Sequence, residues 1–371
     1  MNRIIIPLML FLISMCPGAG YAGKLTVSDP LDSPAMPVRV PARCVLLDIA
    51  QAGARLVAVG ERGLIIISDD RGGSWRQVNV PTRVSLTCVK FLTSTSGWAV
   101  GHSGIVLQTE DGGGTWTRRL DGITAAKLAL EAVKAGTAPA GPDDKEAKKR
   151  LEAARLLVED GPDKPFLDLY FENAQTGFVV GAYGLIFRTG DGGKTWQPWM
   201  DHIENAKGSH LYAIRAVGNH LYISGEQGLF LRSTDHGQNF TKIKAPYGGT
   251  FFTMAALRSD VIVLAGLRGN LFRTEDRGKS FTQVQVPVPV SLSASTVLPD
   301  GTLILANQAG YLLASRDGGQ TFNLLDVPAM PPVAAMTAPG DGATLVTVGV
   351  GGVISVRLPG AAPKARSGGA Q

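Results

Sequence analysis

The sequence predicts an all-β fold, a seven-bladed β-propeller with Asp-box repeats and a helical-hairpin insertion. Two periodic signals and the strand-like runs between them carry that prediction. The first signal is a turn motif that recurs six times, opening as Ser68-Asp69-Asp70-Arg71-Gly72-Gly73-Ser74-Trp75 and returning at residues 109–116, 189–196, 233–240, 274–281 and 315–322. Its aspartates stand at 70, 111, 191, 235, 276 and 317, spaced 41, 80, 44, 41 and 41 residues apart. The second is a glycine landmark, the last residue of Val59-Gly60-Glu61-Arg62-Gly63, with equivalents at Gly104, Gly184, Gly228, Gly269 and Gly310, each five residues before a box. A seventh landmark, Val348-Gly349-Val350-Gly351-Gly352, has no box after it.

Each repeat translates into four short strands. The apolar run Leu64-Ile65-Ile66-Ile67 between landmark and box reads as one strand, and two more precede the landmark, at 45–49 and 55–59 in the first repeat. In the box the aspartate carboxylate accepts backbone N–H groups, and glycine supplies the torsions of a tight turn. The closing aromatic starts a fourth strand. Seven such units of about 41 residues, with strands in fours, specify a propeller.

The chain's first residues predict export. Met1-Asn2-Arg3 is a short positive stretch, residues 4–15 are apolar, and Gly20 and Ala22 occupy the positions read by a signal peptidase. Cleavage is expected after Ala22, leaving a periplasmic or secreted protein. The apolar run is too short to span a bilayer. Cys16 would suit a lipoprotein, but Met15 stands where a small residue is wanted. The mature chain is expected to have no transmembrane segment. Cleavage removes Arg3 and no acid, lowering the formal charge of +5 by one, too mild an excess for a nucleic-acid partner.

The expected organisation is a signal peptide at 1–22, the propeller at 23–360 and a disordered tail at 361–371. Residues 121–165 interrupt the repeats and read as a helical hairpin, with apolar stripes Ala126, Leu130, Val133 and Ala147, Leu151, Ala154, Val158. The hairpin leaves from the face of the glycine turns and should stand over or beside the central opening. The last repeat stops one strand short, and Met36-Pro37-Val38-Arg39-Val40 is expected to pair into that blade and latch the ring. Cys44 and Cys88 occupy non-equivalent repeat positions and are expected as two buried thiols, with a disulfide the alternative.

These boxes resemble the Asp-box (BNR) repeat. The chain from about residue 40 to 358 resembles the photosystem II stability/assembly factor family of propellers, most clearly from Gly181 through Arg188-Thr189-Gly190-Asp191-Gly192-Gly193-Lys194-Thr195-Trp196. The resemblance implies a non-enzymatic helper that binds a membrane complex during assembly, with an arginine-rich face as the contact in photosynthetic members. For non-photosynthetic members it implies an accessory role beside a large inner-membrane exporter. A monomer with a protein partner, an integral membrane protein or complex, is expected.

Candidate chemistry follows from repeat position. The aspartates Asp70, Asp111, Asp191, Asp235, Asp276 and Asp317 are turn staples rather than catalytic groups. Asp48 and Asp168 lie on expected innermost strands, and a glycoside hydrolase would need such carboxylates across a cleft. Bonding to neighbouring backbone is the competing reading. No catalytic residue, metal site or cofactor is expected: His102, His202, His210, His220 and His236 lack ligand spacing. Arg188, Arg232 and Arg273 share one position in three consecutive repeats and read either as a partner-binding stripe or as bonds to blade-edge carbonyls and Glu275. Arg62, Arg268, Tyr183, Glu226 and Gln227, on turns of the opposite face, form the second candidate surface. The box aromatics Trp75, Trp116, Trp196, Phe240, Phe281 and Phe322 are expected to pack between blades. Trp199 reads as exposed, which would suit a glycan-binding module.

Overall fold

The computed structural model describes residues 28–136, 145–258 and 260–359. The expected signal peptide, the expected tail and the connection between the two helices therefore lie outside the described residues. Six antiparallel sheets of four strands and one of three follow each other along the chain, each strand paired with its sequence neighbour. Blades 1 to 6 occupy residues 46–77, 86–120, 166–198, 211–242, 251–283 and 292–324, and blade 7 occupies 333–357. Among the described residues no helix is long and apolar enough to cross a membrane.

The core is divided among the seams. Seven apolar clusters each join two consecutive blades, and the last joins blade 7 to blade 1 through Val346, Val348, Leu56 and Ile66. The second strands, such as Arg55–Gly60 and Gly97–Gly101, are buried along nearly their whole length because both faces are covered by neighbouring blades. That double burial is why they read as unbroken apolar runs rather than alternating ones.

The glycine landmark has two separate causes. At Gly181, in extended backbone, an added Cβ would overlap the Pro165 carbonyl and lie 2.8 Å from Phe166 Cα. Glycine here lets the second strand approach the start of the first. At Gly184 the backbone is left-handed, φ +72°, where a side chain is strained. In blade 6 Asn307 replaces the first glycine, and its amide oxygen accepts the Ala309 and Tyr311 N–H groups.

The boxes are closed turns. Asp70 accepts the Ser74 N–H at 2.8 Å, the Ser74 hydroxyl at 2.7 Å and the Ser68 hydroxyl at 2.8 Å, while Ser68 accepts the Gly72 N–H. The same hydroxyl–carboxylate–amide pattern recurs at Asp111, Asp191, Asp235, Asp276 and Asp317. Hydroxyl bonds from Ser74 and Ser280, with backbone N–H bonds, pull Asp70 and Asp276 from 3.8 to about 2. Asp191 also falls to about 2, although burial opposes the shift. Groups depressed on folding contribute stability that is complete above their unfolded value and is lost as pH falls through the folded one. The melting temperature should therefore hold down to about pH 4 and drop steeply between about pH 4 and pH 2. A melt recorded by circular dichroism that stays level across that interval would contradict the staple role.

The insertion forms two antiparallel helices, α1 (Gly122–Gly136) and α2 (Lys145–Glu159). Ala125, Ala126 and Ala129 form the buried face of α1, and Leu128, Leu157 and Met200 extend the blade 2–3 cluster. The base is tight: a Cβ on Gly104 would meet Gly122 Cα at 2.6 Å. Arg150 reaches Asp201 at 3.7 Å. The hairpin thus stands beside the ring at the 2–3 seam, and none of its described residues lines the central opening. The expected α2 stripe holds at Ala147, Leu151 and Ala154, and only its end departs, since Leu157 packs inward and Val158 is 38% exposed.

Two expectations are corrected. Residues 36–40 do not pair into blade 7; they lie along blade 1, where the Gln77 amide accepts the Val38 N–H and donates to the Met36 carbonyl. Among the described residues blade 7 keeps three strands, and the ring closes on side-chain packing. Cys44 and Cys88 are both free thiols, but Cys44, which follows the surface turn Pro41–Arg43, packs only against the rim of the blade 7–1 cluster and is half-buried.

Candidate functional site

The innermost strands, Leu46–Ala52, Leu86–Phe91, Phe166–Phe171, Leu211–Val217, Phe251–Arg258, Leu292–Val297 and Val333–Thr337, surround a central lumen of about 540 Å³. Each carries a register shift at its start, for example between Leu46 and Asp48 and between Leu86 and Cys88. Such bulges re-aim side chains. Here they set Asp48 and Asp168 against the next blade's first strand. Asp48 accepts the Val89 N–H at 2.8 Å and Lys90 Nζ at 3.0 Å. Asp168 accepts the Ile214 N–H at 2.9 Å, the Cys88 thiol at 3.2 Å and the Arg215 guanidinium.

The electrostatics follow from that bonding. Burial opposes the charge on Asp168, yet Arg215, Lys90 and the Ile214 N–H hold its carboxyl below the usual range. Burial likewise opposes the charge on Lys90 and Arg215, and the aspartates outweigh it, holding both above their ordinary values. Burial pushes the Cys88 thiol up, so it stays protonated and donates to Asp168. A glycosidase acid needs the opposite, a carboxyl raised towards neutrality. Among the described residues no group of three His, Cys, Asp or Glu side chains is placed to hold a metal ion.

Sequence reasoning named the aspartates but missed Lys90, Arg215 and Cys88. A signal was present: with the innermost strands aligned, Ala50, Lys90, Tyr170, Arg215, Ala255, Thr296 and Thr337 share one register. Three long polar groups on blades 2 to 4 face small ones elsewhere.

The arginine stripe packs against the following blades. Arg273 donates to the Gly318 carbonyl at 2.8 Å and pairs with Glu275 at 2.7 Å. Arg232 donates to the Arg277 carbonyl at 3.2 Å, and Gln108 at the same position donates to Gly192 at 3.3 Å. Each thus reaches the next blade's box. Arg188 lies instead over Trp199 and Phe178, at 5.0 and 5.9 Å, and Trp199 Nε1 donates to the Gly237 carbonyl. Trp199 is consequently buried, 9% exposed and stacked on His202, which corrects the expectation of an open ring. His210 is held elsewhere, paired with Glu226 at 2.8 Å.

The opposite face presents Arg62, Tyr183 and Arg268 at the tips of the glycine turns, on alternate blades. All three are exposed, Tyr183 by 61%, and all three are left-handed, with φ of 55°, 56° and 58°. Lys164, at the foot of the hairpin, stands 5.1 Å from the Tyr183 ring, and His210 lies 4.9 Å away on its other contact.

Residues 38–136 and 147–304, more than half of the chain, match the family described as Photosynthesis system II assembly factor YCF48. The chain belongs to this family. The gap between the two matched stretches falls at the connection between α1 and α2. A curated relative, the Photosystem II assembly lipoprotein Ycf48 of Synechococcus sp. (strain CC9902), is 35% identical over 77 residues, 21% of this chain. The match spans 23% of that relative's length. The solved structure "YCF48 bound to D1 peptide" aligns over 88% of this chain and 99% of its own, with a TM-score of 0.60 and 18% identity. "YCF48 from Cyanidioschyzon merolae" aligns over 87% and 98%, with a TM-score of 0.61 and 17% identity. Family and structural neighbours agree on the propeller.

Proposed function

We propose that this protein is a non-catalytic, exported propeller that binds a membrane protein complex and assists its assembly or activity, with a large inner-membrane exporter as the partner. The observation that carries the reading is the trio Arg62, Tyr183 and Arg268. Each holds a large exposed side chain in a backbone conformation that glycine adopts without strain. Ser103 and Gln227 share this backbone on blades 2 and 4, so the conformation belongs to the turn, and what sets the trio apart is the large exposed side chain carried at its tip. The relatives support a protein partner, since one is an assembly lipoprotein and another was solved with a D1 peptide. The engaged carboxylates of the lumen support a role without catalysis.

The stripe Arg188, Arg232 and Arg273 is the alternative contact, but its bonds to the next blade favour a stapling role. The two surfaces separate by mutation. Arg62→Gly, Tyr183→Gly and Arg268→Gly together should melt at or above wild type, because the strain is relieved, while capture of the inner-membrane partner is lost. Changing the stripe arginines to methionine should lower the melt. Partner capture undiminished in the glycine triple would sink the turn-face assignment.

A further inference from the structure

We infer that the central lumen is a binding site for an amphipathic carboxylate. In both ion pairs of the lumen the acid is sealed and the cation faces the cavity. The Lys90 side chain is 37% exposed against 11% for Asp48, and Arg215 is 32% exposed against 5% for Asp168. The aspartate oxygens are taken up by the Val89 and Ile214 N–H groups as well as by the cations. Asp48 and Asp168 also line the cavity, but its wall presents more of the ammonium and guanidinium than of the carboxylates.

These cations act on one region. Lys90 and Arg215 line the same lumen from the first strands of blades 2 and 4, on either side of blade 3. Tyr170 shares their register on the intervening blade, adding a phenol. Lys90 has three N–H donors and the guanidinium five, more than their aspartates use, which suits a two-oxygen acceptor. The apolar part of the ligand follows from the mouth, where Leu167, Tyr212 and Phe252 line the same cavity, with the latter two rings 5.6 Å apart. Small residues across the lumen leave the volume open, and 540 Å³ lies within the range of small-ligand sites.

The test is a calorimetric titration of the signal-free protein with 3-phenylpropionate and with its amide. The acid should bind saturably at one site per chain, and the amide about tenfold or more less tightly, since it lacks the charge. Tyr170→Phe should weaken the acid several-fold without altering the melt, and Lys90→Met should weaken it about tenfold. Equal binding of acid and amide overturns the assignment, as does no saturable binding of the acid. Unchanged affinity in Tyr170→Phe and in a folded Lys90→Met also overturns it. Comparison with the free-acid tripeptide Ala-Ala-Phe separates the sources. Tighter binding of the tripeptide points to a chain terminus, and tighter binding of phenylpropionate to a small molecule.

Discussion

Replacing Asp168 with alanine is expected to lower stability by about 3 kcal/mol, the low end of the cost of breaking a buried ion pair. The carboxylate joins three blades at once: the Cys88 thiol from blade 2, its own strand in blade 3, and the Ile214 N–H and Arg215 from blade 4. Its removal leaves a buried backbone N–H without an acceptor and a cation without a counter-ion. Arg215 is 32% exposed and recovers some hydration, which keeps the effect from the upper end. Asp168→Asn retains an acceptor but not the charge and should fall between the two. Asp48→Ala should cost less, because Lys90 is the more exposed cation and can turn to water. Urea unfolding of the three variants checks the order. An Asp168→Ala loss below about 1 kcal/mol would show that the network is not holding the seams.

Gly181→Ala should cost about 3 kcal/mol or prevent folding, the upper range for forcing extra volume into packed structure. The extended torsions suit alanine, so strain is not the cause. The obstacle is the Pro165 carbonyl and Phe166 Cα of the facing strand, backbone atoms that cannot move without separating the two strands. Gly248→Ala is the matched control, since a Cβ there meets nothing within 4 Å. It should stay within about 0.5 kcal/mol of wild type. Equal melting temperatures for the two variants would remove the close-approach explanation of the landmark.

The box was legible in the sequence because it is a requirement met within a few consecutive residues, and the landmark because its last glycine answers to a local torsion repeated in each blade. Asp70 finds its partners between Ser68 and Ser74, and Gly184 needs only its own torsion. The lumen was not, because it depends on which side chain faces inward after a bulge, and a shift of one residue exchanges the faces. Cys88 and Asp168 meet across 80 positions of sequence, with nothing local in either to announce the other. The arginine stripe was visible as a register, but its meaning depends on a carbonyl about 45 residues downstream in the next box. Trp199 was misplaced for the same reason, its acceptor being Gly237 in the following blade. Residues 36–40 have the composition of a strand, yet the Gln77 side chain takes the bonds of Met36 and Val38, and the Val40 carbonyl accepts the Arg43 N–H of the following turn.

Among the described residues the ring closes without strand exchange, and this has a consequence for how the chain becomes a ring. Every described sheet is finished within one uninterrupted stretch, from 46–77 to 333–357, so none waits for a strand from the far end of the polypeptide. Strand pairing is then short-range throughout, and pairing between neighbours in sequence is the fast kind. Each described blade can therefore close locally, which leaves the meeting of two apolar faces, Val346 and Val348 with Leu56 and Ile66, as the distant step. That topology lets the chain assemble as a row of hairpins that bends until its ends touch.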